Sequence, residues 1–325
     1  MPTKPFTFAL ALLSTPLAFA QLSDSAGLSG EVSLSAGYIS SSSNFNTDND
    51  ATINDNNQKA QSDSQFLPLL LGNAAFTFGQ RLDKQVYVGT SREDIAIGTL
   101  ALELGFKQKL ANGTVVDISY LPTIMSGETW ADPFVEGSPR SSTDEQGNAY
   151  RLKLSNIAGS GFTLDTAIAE QEIDNERSGL DSGYNASLLN RNADKLYVKG
   201  SFRLFLSRST FLIPSISYVD SDAKGDAHSF KAWSGELSLF QRYDRHQLAL
   251  TASYTDRSYD AAHPVYDVTR DDNDLSFFAA YEYQQLMGWR NLSFVSFAGY
   301  GQTDSNIQFY DSEQLILSGG INLKF

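Results

Sequence analysis

Charged side chains stand at alternating positions along several apolar segments of this sequence. Glu103, Lys107 and Lys109 occur on one segment, and Arg151 and Lys153 on another. In extended backbone, residues two positions apart point to the same face, so these charges share a face. Their sign alternates from one segment to the next, which favours ion pairs between neighbouring strands. Such a face could sort polar solutes by size and sign.

The predicted charged face extends over much of the chain. Its members are Glu103, Lys107, Lys109, Asp117, Arg151, Lys153, Asp165, Lys199, Arg203, Glu236, Arg242 and Glu282. If these residues faced lipid, each Arg or Lys at the bilayer midplane would destabilise the protein by about 2–4 kcal/mol. We therefore predict that these residues line the inside of a barrel. They form either the lining of a water-filled pore or a structural network that fills the interior, and the residue types fit both interpretations.

The chain has three histidines, His228, His246 and His263, as candidate imidazole bases. The sequence Asp226-Ala227-His228 resembles the Asp-x-His of surface barrel proteases, but no facing pair of carboxylates is evident. His228-Ser229 resembles serine-type lipid hydrolases, but adjacent strand residues point to opposite faces and make a poor nucleophile–base pair. We therefore predict that the protein is not an enzyme.

An acidic segment begins like a calcium-binding loop. Asp220-Ser-Asp222-Ala-Lys224-Gly225-Asp226 has carboxylates two apart and a glycine in sixth place. Lys224 then occupies a ligand position, and Lys231 stands where a bidentate glutamate is needed. We predict a solvated acidic loop, with weak calcium binding as the alternative. There is no cysteine for a thiolate metal site, and we expect no cofactor.

Strict alternation of apolar and polar residues predicts the strands that carry these side chains. In the last segment, Leu315, Leu317, Ile321, Leu323 and Phe325 point one way and mostly small or polar residues the other. About fourteen such segments are long enough to cross a membrane as tilted strands. They lie near residues 28–39, 66–79, 85–91, 95–109, 114–125, 148–156, 162–171, 195–206, 210–220, 229–242, 246–257, 273–285, 290–303 and 312–325.

The connections between these segments alternate in length. Long polar loops are predicted near residues 40–65, 126–147, 172–194 and 257–272. Short turns are predicted at residues 79–84, 111–113, 158–161, 207–209, 243–245 and 286–288. A soluble β-sandwich does not require this alternation, whereas outer-membrane barrels do. We predict an all-β fold, a transmembrane antiparallel up-and-down β-barrel of about 14 strands, with 12–16 possible.

The first twenty residues predict export. Lys4 precedes an apolar stretch at residues 6–13, and Ala18-Phe19-Ala20 has the pattern that a signal peptidase cuts. We predict a signal peptide at residues 1–20 and an outer-membrane barrel domain at residues 21–325, in a Gram-negative-type bacterium. The formal net charge of -14 argues against nucleic acid as a partner.

The N-terminal strand resembles one protein family. Leu28-Ser-Gly-Glu-Val-Ser-Leu-Ser-Ala-Gly-Tyr38, with Asn44-Phe45-Asn46-Thr47-Asp48 after a serine run, is similar to the outer-membrane family called domain of unknown function 2860. The resemblance implies a porin-like barrel over nearly the whole mature chain, and it implies no ligand or site residues. The terminal Phe325 resembles the sorting signal of outer-membrane barrels, which implies the barrel-assembly machinery as a partner.

These patterns predict a channel that passes small hydrophilic solutes passively. The alternative is a non-conducting structural barrel or a surface-interaction barrel for adhesion or reception. For the second, Trp130, Phe134 and Val135 are predicted to form a small exposed cluster in a long loop; the other interpretation of that loop is that it folds inward. Expected surroundings are outer-membrane lipid and lipopolysaccharide, and a monomer is favoured over a trimer because a closed barrel leaves no strand edge to pair.

Overall fold

The computed structural model describes residues 22–90, 102–122 and 127–325, which form one antiparallel sheet closed into a barrel. The predicted signal peptide lies outside the described residues. The strands are β1 (Gly27–Ser42), β2 (Ser62–Phe78), β3 (Lys84–Thr90), β4 (Leu102–Lys109), β5 (Val115–Pro122), β6 (Gly127–Trp130), β7 (Ser142–Ser155), β8 (Phe162–Ile173), β9 (Ala193–Phe202), β10 (Leu204–Phe205), β11 (Thr210–Ala223), β12 (Phe230–Tyr243), β13 (His246–His263), β14 (Val268–Gln284), β15 (Leu292–Ser305) and β16 (Ser312–Lys324).

With the short strands β6 and β10 set aside, each strand pairs with the next one along the chain, and β1 closes the barrel by pairing with β16. The short strands β6 and β10 pair only with β7 and β11, where they extend the wall of the barrel. The wall therefore has fourteen strands, as predicted. One short α-helix, α1 (Ala186–Leu189), lies in a loop. Among the described residues, no helix is long and apolar enough to cross a membrane.

The two ends of the chain meet where β1 and β16 pair. The backbone N–H of Gly30 donates to the carbonyl of Phe325 at 3.0 Å, and the N–H of Phe325 donates to the carbonyl of Gly30 at 2.9 Å. Both termini of the barrel domain thus lie at the end that carries the short turns. We call this the short-turn end and the opposite one the long-loop end.

The six predicted short turns are confirmed. They occupy residues 79–83, 110–114, 156–161, 206–209, 244–245 and 285–291. Three of the four predicted long loops are also confirmed, at residues 43–61, 131–141 and 174–192.

The fourth prediction, a long loop over residues 257–272, is wrong. Strand β13 runs to His263 and β14 begins at Val268. Arg257 forms ion pairs with Asp272 and Asp274 of the neighbouring strand, at 3.4 and 2.5 Å. Cross-strand charge pairs of this kind stabilise a polar ladder. The segment looks like a loop in the sequence because it is polar on both faces.

The outer face of the barrel is apolar and largely exposed. Phe66 is 82% exposed and Leu70 is 73% exposed, although both lie within strand β2. Aromatic pairs mark one border of this apolar band, with ring centroids 4.8–5.2 Å apart: Tyr38 with Phe66, Tyr120 with Tyr150, and Tyr218 with Trp233. Tyr243 and Trp289 mark the other border. Two aromatic girdles around an apolar band are typical of a barrel that spans a membrane.

Candidate functional site

The predicted alternation of charge from strand to strand is present in the register of the sheet. Lys107 of β4 pairs with Asp117 of β5, and Asp117 pairs with Lys153 of β7. Lys153 pairs with Asp165 of β8, which pairs with Lys199 of β9. Paired residues point to the same face of a sheet. Because the apolar residues between them face outward, this row of charges faces the interior.

Arg151 is the centre of an ion-pair network in this row. Its Nε and Nη2 donate to the two carboxylate oxygens of Asp165 at 2.9 and 2.5 Å. Its Nη1 donates to Oε1 of Glu103 at 2.6 Å. Both carboxylates are almost fully buried. A planar guanidinium that binds two carboxylates at once holds three strands in register.

Tyr87 also belongs to the network, and the sequence analysis missed it. Its hydroxyl lies 2.9 Å from Oε2 of Glu103 and 2.8 Å from Oδ1 of Asp117. The Lys107 ammonium lies 3.5 Å from Asp117 and 4.4 Å from the centroid of the Tyr87 ring. In the sequence, Tyr87 lies two residues from Gln85 and two from Gly89 on a short strand. This spacing places the three residues on one face of the strand and could have identified Tyr87. We call the set Tyr87, Glu103, Lys107, Asp117, Arg151, Lys153, Asp165, Lys199 and Glu236 the charged belt.

The belt continues to β12 through an ion pair that reaches over the intervening strand β11. Lys199 Nζ lies 2.8 Å from Oε1 of Glu236. The residues between them on β11 are Ser215 and Ser217, which register places on the same face. Small side chains leave room for this bridge, so the belt covers consecutive strands from β3 to β12.

The remaining predicted lining residues lie nearer the short-turn end. The Arg203 guanidinium is 5.5 Å from the ring centroid of Phe211, and Glu282 pairs with Lys324 at 2.9 Å. Lys109 is exposed at the end of β4, and Arg242 is half-buried near the end of β12.

Six of the described loops converge at the long-loop end into a structure that we call the cap. Its segments are residues 43–61, 131–141, 174–192, 224–229, 264–267 and 306–311. The buried apolar core of the cap consists of Phe134, Leu189, Ala227, Ile307, Phe309 and Tyr310. Phe45, Ile53, Leu188, Val265 and Tyr266 pack against it. Every one of the six segments therefore contributes to one small hydrophobic core.

The predicted exposed cluster at Trp130, Phe134 and Val135 is wrong. Trp130 is 3% exposed and Phe134 is 1% exposed, while Val135 is half-buried. The Phe134 ring lies 5.3 Å from Phe309 and 5.1 Å from His263, measured between centroids. The loop bends inward, as the alternative interpretation held, because the other loops offer it an apolar surface to bury.

Arg140 ties two segments of the cap together. Its guanidinium donates to the carbonyl oxygens of Asn44, Asp50 and Ala51, at 2.9, 2.9 and 3.0 Å. It also stacks on Trp130, 4.3 Å from the ring centroid. Burial lowers the pKa of Arg140 to about 10. The guanidinium thus replaces water as the partner of backbone carbonyls in a loop that has no regular secondary structure.

Arg191 plays the same part on the other side of the cap. It donates to the carbonyl of Trp130 at 2.6 Å and forms an ion pair with Glu176 at 2.9 Å. Asn56 adds a further link, donating to the carbonyl of Phe134 at 2.9 Å. The Tyr266 hydroxyl in turn donates to the carbonyl of Asn56 at 3.0 Å. The carbonyls of Trp130, Phe134 and Asn56 are therefore bonded by side chains from other loops.

Two of the three histidines lie in the cap. The rings of His228 and His263 are 5.7 Å apart, and Nε2 of His263 lies 2.7 Å from the Tyr310 hydroxyl. Burial lowers the pKa of His228 well below its ordinary value, and the nearby His263 and Arg270 lower it further. Burial raises the pKa of the Tyr310 phenol. His228 is therefore neutral in the closed cap.

The histidines are not arranged as catalytic bases toward the neighbouring serine. The Ser229 hydroxyl accepts from the backbone N–H of Ala223 at 2.9 Å. His246 lies beside the short turn at residues 244–245, as predicted, with Nδ1 2.7 Å from the Tyr281 hydroxyl. Within the described part of the chain, no three His, Asp or Glu side chains gather to hold a metal ion. The predicted calcium-like loop begins inside β11, where Asp220 and Asp222 lie on a strand.

A family model matches the chain over residues 27–324, which is the whole barrel as far as Lys324. Its description is Protein of unknown function (DUF2860). The chain belongs to this family. The match confirms the resemblance seen in the N-terminal strand. This member of the DUF2860 family is a closed fourteen-stranded barrel with an apolar outer face.

Solved structures of outer-membrane proteins also match this DUF2860 protein over most of its length. The outer-membrane channel DcaP of Acinetobacter baumannii is 11% identical, with a TM-score of 0.48, and the match covers 92% of this chain and 96% of that chain. A FadL homologue of Pseudomonas aeruginosa is 10% identical, with a TM-score of 0.46 and coverage of 91% and 90%. OpdQ of Pseudomonas aeruginosa is 12% identical, with a TM-score of 0.35 and coverage of 92% and 98%. No curated protein matches the chain. At these values the likenesses carry no argument about solute or mechanism.

Proposed function

We propose that this protein is an outer-membrane channel that passes small hydrophilic solutes passively through the barrel interior. The observation that carries the proposal is the charged belt on the inner face of a closed membrane barrel. Rows of ionised groups inside a membrane protein, such as the one from Lys107 to Lys199, commonly mark the pathway of an ion or a polar substrate. A ring of charges of both signs selects solutes by size and by charge.

The orientation follows from the two ends of the barrel. Short turns and both termini of the barrel domain face the periplasm in outer-membrane barrels, and long loops face the exterior. The cap then lies on the cell surface, and Phe325 lies where the assembly machinery meets the strand. The formal net charge of -14 favours cations near the mouth by electrostatic focusing. We propose a monomer, with the predicted signal peptide removed near Ala20.

The cap holds this channel closed in the proposed mechanism. Its apolar core joins six of the described loops at the mouth, and the core residue Phe134 has 1% of its surface exposed. Solutes pass when the cap opens, a local transition of loops that leaves the fourteen-stranded wall intact. The charged belt then acts as the selective part and the cap acts as the gate.

Single-channel recording of the refolded mature chain in planar bilayers tests this proposal. We expect brief conductance steps for the wild type and longer open times for Phe134→Ala, which weakens the closed cap. Exposed Leu180 lies in the 174–192 segment and is 58% exposed, so Leu180→Ala is the matched control and should behave as the wild type. If repeated reconstitutions of both the wild type and Phe134→Ala are silent, the channel proposal is wrong.

The interlocked cap favours a second candidate function. A barrel whose loops form one folded surface could bind a partner at the cell surface without conducting. This candidate requires that Phe134→Ala also be silent and that surface binding depend on the cap. The recording described above therefore separates the two functions.

A further inference from the structure

The inner face of the barrel is divided into two unlike halves. Following the register from the charged belt, Glu103 pairs with Gly89, which pairs with Asn73 of β2. Asn73 therefore faces inward, and so do the residues two, four and six positions before it on the same strand. These are Leu71, Leu69 and Leu67. An inward row of three leucines is unusual beside an interior of ion pairs.

The same register places further apolar side chains inward on the adjacent strands. On β1, Ser35, Ile39 and Ser41 are separated by even numbers of residues and all face the lumen. On β16, Gly320 and Ile316 face the lumen for the same reason. Gly299 pairs with Ile316 and with Phe278. We call the set Ile39, Leu67, Leu69, Leu71, Phe278 and Ile316 the apolar wall.

Three side chains of the apolar wall lie over inward-facing glycines. A Cβ atom built on Gly37 would lie 2.8 Å from Cδ1 of Leu69. One built on Gly299 would lie 2.8 Å from Cγ2 of Ile316 and 3.0 Å from Cδ2 of Phe278. The glycines thus make room for large apolar groups on the inner surface. All six members of the wall are nevertheless only half-buried, so part of each remains open toward the interior.

The apolar wall and the charged belt lie on opposite sides of the interior, and parts of them are at similar distances from the short-turn end. The wall occupies β14, β16, β1 and β2, and the ion pairs of the belt are concentrated on β4, β5, β7, β8 and β9, across the fourteen-stranded barrel. Leu71 and Phe278 lie seven and six residues from the short-turn ends of β2 and β14, and Glu103 lies six residues from the short-turn end of β4. A molecule at mid-height therefore meets leucine and phenylalanine on one side and ionised groups on the other.

We propose that the solute of this channel is amphipathic: a small ionised molecule with an aliphatic or aromatic part. This inference rests on the proposed function and narrows it. The apolar part lies against the apolar wall and leaves water there, a gain that scales with the apolar area covered. The ionised part stays beside the charged belt, which holds carboxylates and cations at neighbouring positions. A wholly polar solute gains nothing from the leucines and leaves them in contact with water.

Liposome swelling with a matched pair of solutes tests this inference. Leucine and asparagine are zwitterions of nearly equal size that differ in the polarity of the side chain. The full mature chain is used with an intact cap and with Phe134→Ala. We expect leucine to enter faster than asparagine. In Leu69→Ala/Leu71→Ala, the ratio of the two entry rates should fall by about threefold or more.

The control variant is Leu34→Ala/Leu70→Ala, which makes the same change on the outward face of the adjoining strands β1 and β2. Its rate ratio should equal that of the wild type, and the heat-dependent migration of the folded barrel in gels should be kept by both double variants. If asparagine enters as fast as leucine in the wild type, or if the inward variant keeps the wild-type ratio, the amphipathic inference is wrong while the channel stands. If neither solute enters with either cap, the channel proposal fails and this inference fails with it.

Discussion

Phe134 and Phe309 have ring centroids 5.3 Å apart, although their loops are anchored on opposite sides of the barrel. The first loop joins β6 to β7 and the second joins β15 to β16. Between these anchors the wall order passes through β1, β2, β3, β4 and β5. The contact therefore spans the mouth. A single small core that receives side chains from six loops makes the cap a cooperative unit, and in the proposed mechanism its stability decides how often the mouth is open.

The first prediction concerns the core of the cap. Replacing Phe134 with Ala removes a fully buried ring and should destabilise the closed cap by about 3–5 kcal/mol. Backbone amides of the cap, such as those of Gly137 and Arg140, which donate to Ile53 and Ala51, should then exchange much faster with deuterium. Amides in the wall should be unaffected. Hydrogen exchange followed by mass spectrometry measures both. Unchanged protection of the cap in Phe134→Ala would contradict the single-core description, and Leu180→Ala serves as the control.

The second prediction concerns the guanidinium of Arg140. Lysine keeps the charge but cannot donate to three carbonyls in a fork, so Arg140→Lys should leave buried carbonyls unsatisfied, at about 1–3 kcal/mol each. We expect faster exchange in the 43–61 segment, where those carbonyls lie. The matched control is Arg177→Lys, because Arg177 forms an exposed ion pair with Asp181 four residues later. Equal effects of the two substitutions would show that Arg140 acts only through its charge.

The third prediction is that acid loosens the cap. The closed cap lowers the pKa of His228 well below its ordinary value, so the open cap binds the proton more readily. Stability of the closed cap is therefore kept above the ordinary histidine pKa of about 6.5 and falls as the pH drops below it. The groups around His228 are His263, Tyr310, Arg191 and Arg270, and the cations among them oppose its protonation.

The measurement for this prediction is the open probability, or the exchange rate of cap amides, as a function of pH. We expect the open probability and the exchange rate to rise as the pH falls below about 6.5. His228→Asn should lose part of this dependence. The control His246→Asn, at the short-turn end, should keep all of it. A cap that stays equally closed across the acidic range would disprove the prediction that protonation of His228 loosens it.

The fourth prediction concerns charge selectivity in the belt. Arg151→Met removes a cation that lies between Glu103 and Asp165, so the permeability ratio of K⁺ over Cl⁻ should rise by about two- to threefold. Asp165→Asn should move the ratio in the opposite direction. Arg151→Met should also lower the thermal stability, because about 3–5 kcal/mol is lost when a buried ion pair keeps only one partner.

Reversal potentials in a salt gradient measure this ratio. Arg290→Met makes the same substitution in an exposed turn at the short-turn end and should leave the ratio unchanged. Opposite shifts for Arg151→Met and Asp165→Asn would assign the belt to the conducting path. Identical shifts would assign it to a structural role only.

The sequence by itself determined the barrel. A two-residue period of apolar side chains is a local property, and the lengths of the turns can be read directly from polar residues, glycine and asparagine. The inward assignment of Arg151 and its neighbours also followed, because charge on a lipid-facing surface is costly. The strand count and the alternation of sign between Lys107 and Lys199 therefore follow from local patterns in the chain.

Only the tertiary structure decided which loops meet at the long-loop end and which apolar residues face the interior. Phe134 looks exposed in a polar loop, and only the convergence of six loops buries it. In the sequence, Leu69 lies in an apolar run with Phe66 and Leu70, and the three residues are alike in type. Only the register that pairs Asn73 with Gly89 shows that Leu69 faces inward while Phe66 and Leu70 face lipid. Such facts depend on contacts between distant segments of the chain, and neither period nor composition contains information about which loops or strands will meet.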